Sequence, residues 1–306
     1  MPGAVRFFRE TLPLHRTTSG ATYEIDTWTY AHPEASRRVY LQGGLHGIEL
    51  TGIPVLHEFM REIEARQLPL HCICVPQSNP MGLDSQIMGQ QVGYNNLHTN
   101  QQNCWNWNRL GLLRDEPSQE GRWIRTLLDL SEAAEVVLDL HTAGGENTPH
   151  VYVHVSQVEQ AQGLGFPHVL VWAAHSTSFS DTCQARGQVA LTFELSASRS
   201  VTRTDIDRGL HALRCFFGML PKTEGSRIWD LRTQLKKWYA PKPGILCWHV
   251  AAGEEVREGQ PIATLYTRDG AEPLGAPCSG VLLLKNPTHA PHEHQELAKF
   301  LSSTRS

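Results

Sequence analysis

Within Leu41-Gln42-Gly43-Gly44-Leu45-His46-Gly47-Ile48-Glu49-Leu50-Thr51-Gly52, an imidazole and a carboxylate stand three residues apart. Both could reach one metal ion, and a third ligand from elsewhere in the chain would leave the open coordination position that a catalytic zinc needs. Spacing alone proves little. With 16 histidines in 306 residues, about one His-x-x-Glu is expected by chance. The context carries more: residues 38–41 read as a short strand, Gly43-Gly44 as a tight turn, and the run from about Glu49 to about Arg66 as a helix. Ile53, Leu56, Met60 and Ile63 recur on one face of that helix. His46 and Glu49 therefore fall where a strand ends and a helix begins, the edge at which open α/β sheets bind ligands. The competing reading is a turn histidine beside a glutamate that the helix dipole favours in the first turn.

A third ligand shifts the balance. Residues 135–145, Glu-Val-Val-Leu-Asp-Leu-His-Thr-Ala-Gly-Gly, form an apolar run that stops abruptly in a polar, glycine-rich loop, which places His141 at a second strand terminus. Asp139, two residues back, could orient its imidazole as an acceptor behind the ligand.

With these motifs in view, the chain resembles the succinylglutamate desuccinylase and aspartoacylase family, a branch of the zinc carboxypeptidase superfamily. The resemblance rests on Gly44-Leu45-His46-Gly47-Ile48-Glu49, Asn79-Pro80, Asn108-Arg109, Asp139-Leu140-His141 and Thr192-Phe193-Glu194, which occur in the family's order and span most of the chain. It implies an α/β fold with a zinc-carboxypeptidase-like mixed β-sheet flanked by helices. It also implies one Zn2+ held by two histidines and a glutamate, and so carries the ligand set onto His46, Glu49 and His141. Neither His-Glu-x-x-His nor His-x-x-Glu-His occurs here, since Leu50 follows Glu49.

The resemblance makes Glu194 the catalytic general base. The local sequence agrees, because residues 188–194 read as a largely buried strand that ends in a carboxylate, followed by the small residues Ser196, Ala197 and Ser198. A carboxylate beside a zinc-activated water can accept its proton and pass it to a departing amine. Asn108-Arg109 matches the family's pair, which resembles the carboxylate clamp of carboxypeptidases; a guanidinium holds a carboxylate through two parallel hydrogen bonds. Without that pattern, Arg109 would read as a surface arginine packed on Trp105 or Trp107.

The chain also departs from the family. Relatives carry another arginine between the Asn-Pro and Asn-Arg motifs, whereas none occurs from Met81 to Asn108. Gln86, Gln90, Gln91, Tyr94 and His98 are the polar substitutes, able to donate a hydrogen bond without a fixed positive charge. Arg186, shortly before the Glu194 strand, is a further candidate for the missing substrate-binding charge.

From about Tyr239 onward, short apolar runs separated by glycine, proline and acidic turns indicate small strands. This part resembles the barrel-sandwich module of lipoyl and biotinyl carriers, yet no lysine lies between Gly259 and Gly280 to carry a cofactor. A small C-terminal all-β barrel-sandwich (lipoyl-like) domain over 238–306, structural or covering the site, is expected behind a catalytic domain over 1–237. The two are joined through Pro221 to Lys237. Ahead of that link, Thr204-Asp205-Ile206-Asp207 reads as a capping box opening a helix with Ile206, Leu210, Leu213 and Phe217 on its buried face. His289, His292 and His294 cluster near the end, as a solvated loop or a second metal site.

Bulk properties fit an enzyme of small molecules. Hydrophobic content of 40% supports a substantial core, and 27 basic against 31 acidic residues give no electrostatic footprint for nucleic acid. The amino terminus lacks the apolar stretch of a signal peptide and no run could span a bilayer, so no membrane is expected and the protein reads as cytoplasmic. Seven cysteines without a Cys-x-x-Cys pair argue against a disulfide scaffold; Cys72 and Cys74 read as sharing one strand face. The reading that follows is a zinc-dependent amide hydrolase that deacylates an N-acyl amino acid or close analogue, a small-molecule partner; it leaves room for a homo-oligomer. A metallocarboxypeptidase acting on short or modified peptides would use the same residues. A non-catalytic binding protein that retains the fold is the third reading, prompted by the missing arginine.

Overall fold

The computed structural model describes residues 4–96, 105–173, 176–196 and 200–304. Among them, nine strands form one mixed sheet in the order Arg6–Arg16, Thr22–Ala31, Leu70–Val75, Arg37–Gly43, Val136–Thr142, Val189–Leu195, His150–His154, His168–Trp172 and Arg227–Asp230. The middle of the sheet is parallel: Arg37–Gly43, Val136–Thr142 and Val189–Leu195 run in one direction, with Gly43 opposite Leu140 and His141 opposite Glu194. Every residue of Val136–Thr142 is buried, as expected for a strand covered by helices on both faces.

Alternation along these strands feeds two cores. Val39, Leu41, Leu138 and Leu140 pack with Val55, Leu56, Phe59, Met60 and Ile63 of the helix Gly52–Arg66, and with Leu210 and Leu213 of the helix Arg203–Phe216. Tyr40 and Val137 point to the other face, against Trp123, Leu127 and Leu128 of the helix Gln119–Ser131 and Phe179 of Phe179–Ala185. Cys72 and Cys74 lie buried together in the first of these cores.

Local starts and stops differ from the sequence reading in three places. The helix after His46 begins at Gly52 rather than near Glu49, and no acidic residue occupies its first turn; Glu49 stands in the preceding loop, so the helix dipole does not account for it. The later helix is capped by Thr202, whose side chain accepts from the Asp205 amide, and not by the Thr204-Asp205-Ile206-Asp207 box. Pro221 to Lys237 is not a simple link, because it contains the strand Arg227–Asp230, paired in parallel with His168–Trp172. The helix Leu231–Gln234 then leads into Leu235–Tyr239, which spans the expected 237/238 boundary.

Most of the remaining chain is strand. Leu235–Tyr239, Glu255–Val256, Gly280–Lys285 and Glu296–Ser302 form one sheet with Glu146–Asn147, and Ile245–Trp248, Pro261–Thr267 and Gly270–Gly275 form another. Glu146–Asn147 follows directly on the His141 loop, so the C-terminal sheet is stitched to the end of the large sheet that bears the histidine. Lys285 Nζ holds both Glu146 oxygens at 2.9 Å, and Leu170 and Trp229 of the large sheet share an apolar cluster with Val281, Leu283, Leu284 and Leu301. Among the described residues no helix is long and apolar enough to cross a membrane.

Two buried histidines near this junction make stability sensitive to acid. Burial, then Arg227, lowers His168 to about 4, and its Nδ1 accepts from Trp229 Nε1 at 3.2 Å; burial likewise lowers His150 to about 3. Both folded values lie below the imidazole value of about 6.5 in an unfolded chain. Their stabilisation is therefore complete above that pH and is lost progressively below it, until about 4 for His168 and about 3 for His150. The melting temperature should fall on acidification from pH 7 to 4.5. His168→Gln, which can still accept from Trp229, should flatten that fall by at most about 1.4 kcal/mol per pH unit; an unchanged slope in thermal melts would contradict this account.

Candidate active site

Three strand ends deliver the chemistry. The loop after Arg37–Gly43 carries His46 and Glu49, the end of Val136–Thr142 carries His141, and the end of Val189–Leu195 carries Glu194. The His46 loop is held by close backbone packing. Asn79 Nδ2 donates to the Leu45 carbonyl at 2.8 Å while Asn79 Oδ1 caps the short helix Pro80–Leu83 by accepting from the Gly82 amide at 2.9 Å. A Cβ on Gly47 would fall 1.8 Å from the Gly82 carbonyl oxygen, so only glycine lets the loop lie against that helix. Asn79-Pro80 thus braces the His46 loop from outside the cavity.

His46, Glu49 and His141 are all buried, with one potential ligand atom from each lying within 4.8 Å of the others; among the described residues they are the one such group. His46 Nδ1 is 3.2 Å from His141 Nδ1 and 3.1 Å from Glu49 Oε1, and His141 Nδ1 is 2.8 Å from Glu49 Oε2. Each ring's far nitrogen faces an acceptor: His46 Nε2 meets Asn106 Oδ1 at 2.8 Å and His141 Nε2 meets Asp139 Oδ2 at 2.9 Å. An N–H at each Nε2 leaves a bare lone pair at each Nδ1. Two lone pairs and a carboxylate then converge on one point with no donor between them, an arrangement that a cation satisfies. The donor set of two imidazoles and a carboxylate suits a divalent transition ion.

The electrostatics agree. Burial raises the Glu49 carboxyl, but His46 and His141 outweigh it and hold it down at about 2. For His141, burial opposes charge while Asp139 and Glu49 together drive its pKa well above the imidazole range. The cluster attracts positive charge.

Behind His141 runs a buried polar chain that the sequence reading found only in part. Asp139, the expected acceptor, receives His141 on Oδ2 and the Gln42 amide on Oδ1 at 3.0 Å; Gln42 Oε1 in turn accepts from Tyr40 at 2.9 Å. The period of two puts Tyr40 with Gln42, and Asp139 with His141, on one face of neighbouring strands.

A cavity of about 370 Å3 opens in front of the triad, lined among others by Tyr94, Asn108, Arg109, Tyr152, Thr192 and Glu194. Glu194 Oε2 is shut off from solvent without a hydrogen-bond partner. Burial, then Glu49, pushes its carboxyl up to about 8, with His141 pulling the other way. Asn108 Oδ1 accepts from the Phe179 amide at 2.9 Å, and exposed Arg109 braces one guanidinium nitrogen on the Asn108 carbonyl at 2.7 Å. Trp107 packs in the core against Trp123. Of the substitutes for the missing arginine, Tyr94 lines the cavity, stacked on His46 at 4.2 Å with its hydroxyl accepting from Asn106. Gln90 and Gln91 line a neighbouring depression instead, Gln86 is exposed on the same hairpin, and His98 lies outside the described residues.

Arg186 does not join the site. It is exposed at the C-terminal cap of the helix Phe179–Ala185, donates to the Leu128 carbonyl at 3.0 Å, and precedes the end of the strand Val189–Leu195 opposite to the one that carries Glu194. His289, His292 and His294 are exposed and form no such cluster.

The profile of the succinylglutamate desuccinylase/aspartoacylase catalytic domain matches residues 35–217, more than half the chain. The chain belongs to this family. No curated protein matches it. Solved structures share the fold at low identity: a protein from Shewanella frigidimarina assigned to succinylglutamate desuccinylase/aspartoacylase is 18% identical, with 98% of both chains covered and a TM-score of 0.84. A family protein from Shewanella amazonensis is 20% identical, with 97% of this chain and 99% of that one covered, at 0.82. The ectoine utilization protein EutE (DoeB) of Ruegeria pomeroyi, solved with product bound, is 17% identical, with 98% and 95% covered, at 0.79. In this member of the succinylglutamate desuccinylase/aspartoacylase family, the catalytic-domain match spans every residue of the triad as well as Arg109 and Glu194.

The polar chain behind His141 should set metal affinity. Asp139→Asn is expected to weaken divalent-ion binding by about 10–100-fold and Gln42→Met by a smaller factor, measured by competition with a chromophoric chelator. Wild-type affinity in both variants would show that the chain is not part of the metal site.

Proposed function

We propose that the protein is a zinc-dependent amide hydrolase that removes the acyl group from an N-acyl amino acid or a close analogue. The observation that carries this reading is the placement of Glu194 Oε2, unpartnered and screened from solvent, on the same cavity as the His46-Glu49-His141 triad and Arg109. Bound at the triad, zinc would acidify a water and polarise the scissile carbonyl.

The chain's own residues supply the rest. Glu194, its proton affinity raised by burial, takes the proton released by the attacking water on Oε2 and hands it to the amide nitrogen as the C–N bond breaks. Arg109 anchors a carboxylate of the substrate and Asn108 fixes the loop that presents it. Tyr94, whose hydroxyl is pushed up to about 12 chiefly by burial and so stays protonated, offers a neutral donor beside His46 from the stretch that lacks the arginine expected from the family resemblance. The cavity size suits a small ligand, which favours an acyl amino acid over a polypeptide. The C-terminal strands, read as a barrel-sandwich-like module, wall one side of the cavity through Leu284 and Lys299.

Removal of the metal should abolish hydrolysis and zinc should restore it. Glu194→Gln should lower kcat by about 10²–10⁴-fold with metal content unchanged, and Arg109→Met should act mainly on KM. Released amines from N-acyl amino acids, dipeptides and C-terminal peptide substrates, compared by mass spectrometry, test the reaction class. Preferred cleavage of peptides would make the protein a metallocarboxypeptidase, and tight binding without turnover would make it a binding protein.

A further inference from the structure

The chain between the strand His168–Trp172 and the helix Phe179–Ala185 brings Trp172, Ser176, Ser178 and Asp181 to the cavity in front of the triad. Ordinary capping accounts for part of this arrangement. Ser178 Oγ accepts from the Asp181 amide at 3.2 Å, and Asp181 Oδ2 turns back to accept from the Ser176 amide at 3.0 Å and from the Ser176 hydroxyl. A carboxylate in the first turn of a helix needs no function to explain it. The cap, however, uses only one of its oxygens. Among the described residues Oδ1 has no hydrogen-bond partner, and it is not sealed off from the cavity as Glu194 Oε2 is.

This negative charge also lacks a counter-ion. Asp181 is only 4% exposed, and neither fixed cation on the cavity meets it: Arg109 donates to the Asn108 carbonyl at 2.7 Å, while the carboxylate beside Lys299 is Glu296, at 3.8 Å. A largely buried carboxylate with half its acceptor capacity unused is costly, and a cationic group entering the cavity would relieve it. Two aromatic rings line the same space. Tyr152 and Trp172 stand 5.6 Å apart with their planes tilted by 50°, and ring faces attract ammonium and guanidinium groups. Arg109 borders the same loop, since its carbonyl accepts from Thr177 Oγ1 at 3.3 Å and Asn108 Oδ1 accepts from the Phe179 amide at 2.9 Å. A carboxylate clamp and a free carboxylate therefore address the same half of a bound molecule.

We propose that Asp181, with Tyr152 and Trp172, forms a cation subsite that makes the enzyme selective for N-acyl amino acids with a positively charged side chain, the α-carboxylate resting on Arg109 and the side-chain cation on Asp181 Oδ1. The inference rests on the amide-hydrolase reading for the form of the substrate, but on the cavity alone for its charge pattern. The stretch from Met81 to Asn108, which contains no arginine, adds no fixed positive charge that would repel such a ligand. An ammonium and a guanidinium present the same chemistry to the carboxylate. Asp181 is a specificity residue in this scheme and takes no part in the proton transfers.

The test uses the metal-loaded full chain and two matched substrate pairs: Nα-acetyllysine against N-acetylnorleucine, and Nα-acetylarginine against Nα-acetylcitrulline. Hydrolysis gives KM and kcat, and calorimetric binding to the Glu194→Gln protein gives affinity without turnover. Wild type should favour the charged member of at least one pair by about 10–100-fold, mostly in KM, consistent with a charge-assisted hydrogen bond. The pair that responds tells an ammonium ligand from a guanidinium. Asp181→Asn, which can still accept from Ser176, should abolish that ratio, and Trp172→Leu should lower it by a smaller factor. Equal handling of both members of each pair by wild type, a preference for the neutral members, or a loss in Asp181→Asn that falls equally on charged and neutral compounds overturns the subsite. Should Asp181→Asn fail to fold in thermal melts, Trp172→Leu decides: a lowered ratio supports the subsite and an unchanged one overturns it. If none of the four compounds is hydrolysed, the amide-hydrolase reading fails on these substrates while the binding arm still decides the subsite: discrimination lost in the Asp181→Asn, Glu194→Gln double variant supports it, and no discrimination to lose overturns it.

Discussion

Three electron-pair donors, the Nδ1 atoms of His46 and His141 and the carboxylate of Glu49, meet at one buried point, and most of the surrounding architecture keeps them there. Left alone they repel one another or must recruit a proton. Buried acceptors without donors are costly, so the arrangement persists because packing imposes it and a cation relieves it. Asn106 and Asp139 fix the two imidazole tautomers from behind, which prevents either ring from resolving the conflict by turning its N–H inward.

The sheet meets this requirement through its parallel centre. Three neighbouring parallel strands finish at one edge, so side chains from positions 46, 141 and 194 converge although nearly 100 residues separate the first two. Parallel strands covered by helices have apolar side chains on both faces, which leaves the strand ends as the natural place for polar groups. The Tyr40, Gln42 and Asp139 chain is an exception within the buried body, and it survives because each of its links is hydrogen-bonded to the next. Close contact between Gly47 and the Gly82 carbonyl locks the His46 loop onto the neighbouring helix, so the ligand geometry inherits the rigidity of the core.

Much of this was legible in the sequence because strand ends carry local signals. Apolar runs that stop at His141 and Glu194, and the Gly43-Gly44 turn before His46, placed the triad and the candidate base in order. What escaped were contacts between segments whose local patterns say nothing of each other. Gln42 reads as one polar residue in an apolar strand, and only the register against Asp139 shows its purpose. Lys299 reads as a surface lysine in a short strand, and its position depends on how the C-terminal sheet docks. Arg186 was nominated for proximity in sequence to Glu194, but an extended strand carries its two ends far apart. The helix start was placed too early for a related reason: Glu49 resembles an ordinary first-turn glutamate, whereas its attraction is to two imidazoles rather than to a helix dipole.

The docking of the C-terminal strands also bears on what the large sheet could do unaided. Leu235, Leu284 and Lys299 line the cavity but none belongs to the large sheet, so without them the triad and Glu194 would face open water on that side. Solvent would screen Arg109 less selectively and raise the dielectric around Glu194, whose proton affinity depends first on burial. The Glu146–Asn147 strand, four residues beyond Thr142, pairs with Gly280–Lys285 and ties the covering strands to the ligand-bearing loop itself. A displacement of the C-terminal sheet would therefore be transmitted directly to the end of the His141 strand. Enclosure of the cavity and the geometry of the His46, Glu49 and His141 cluster are thus mechanically one property.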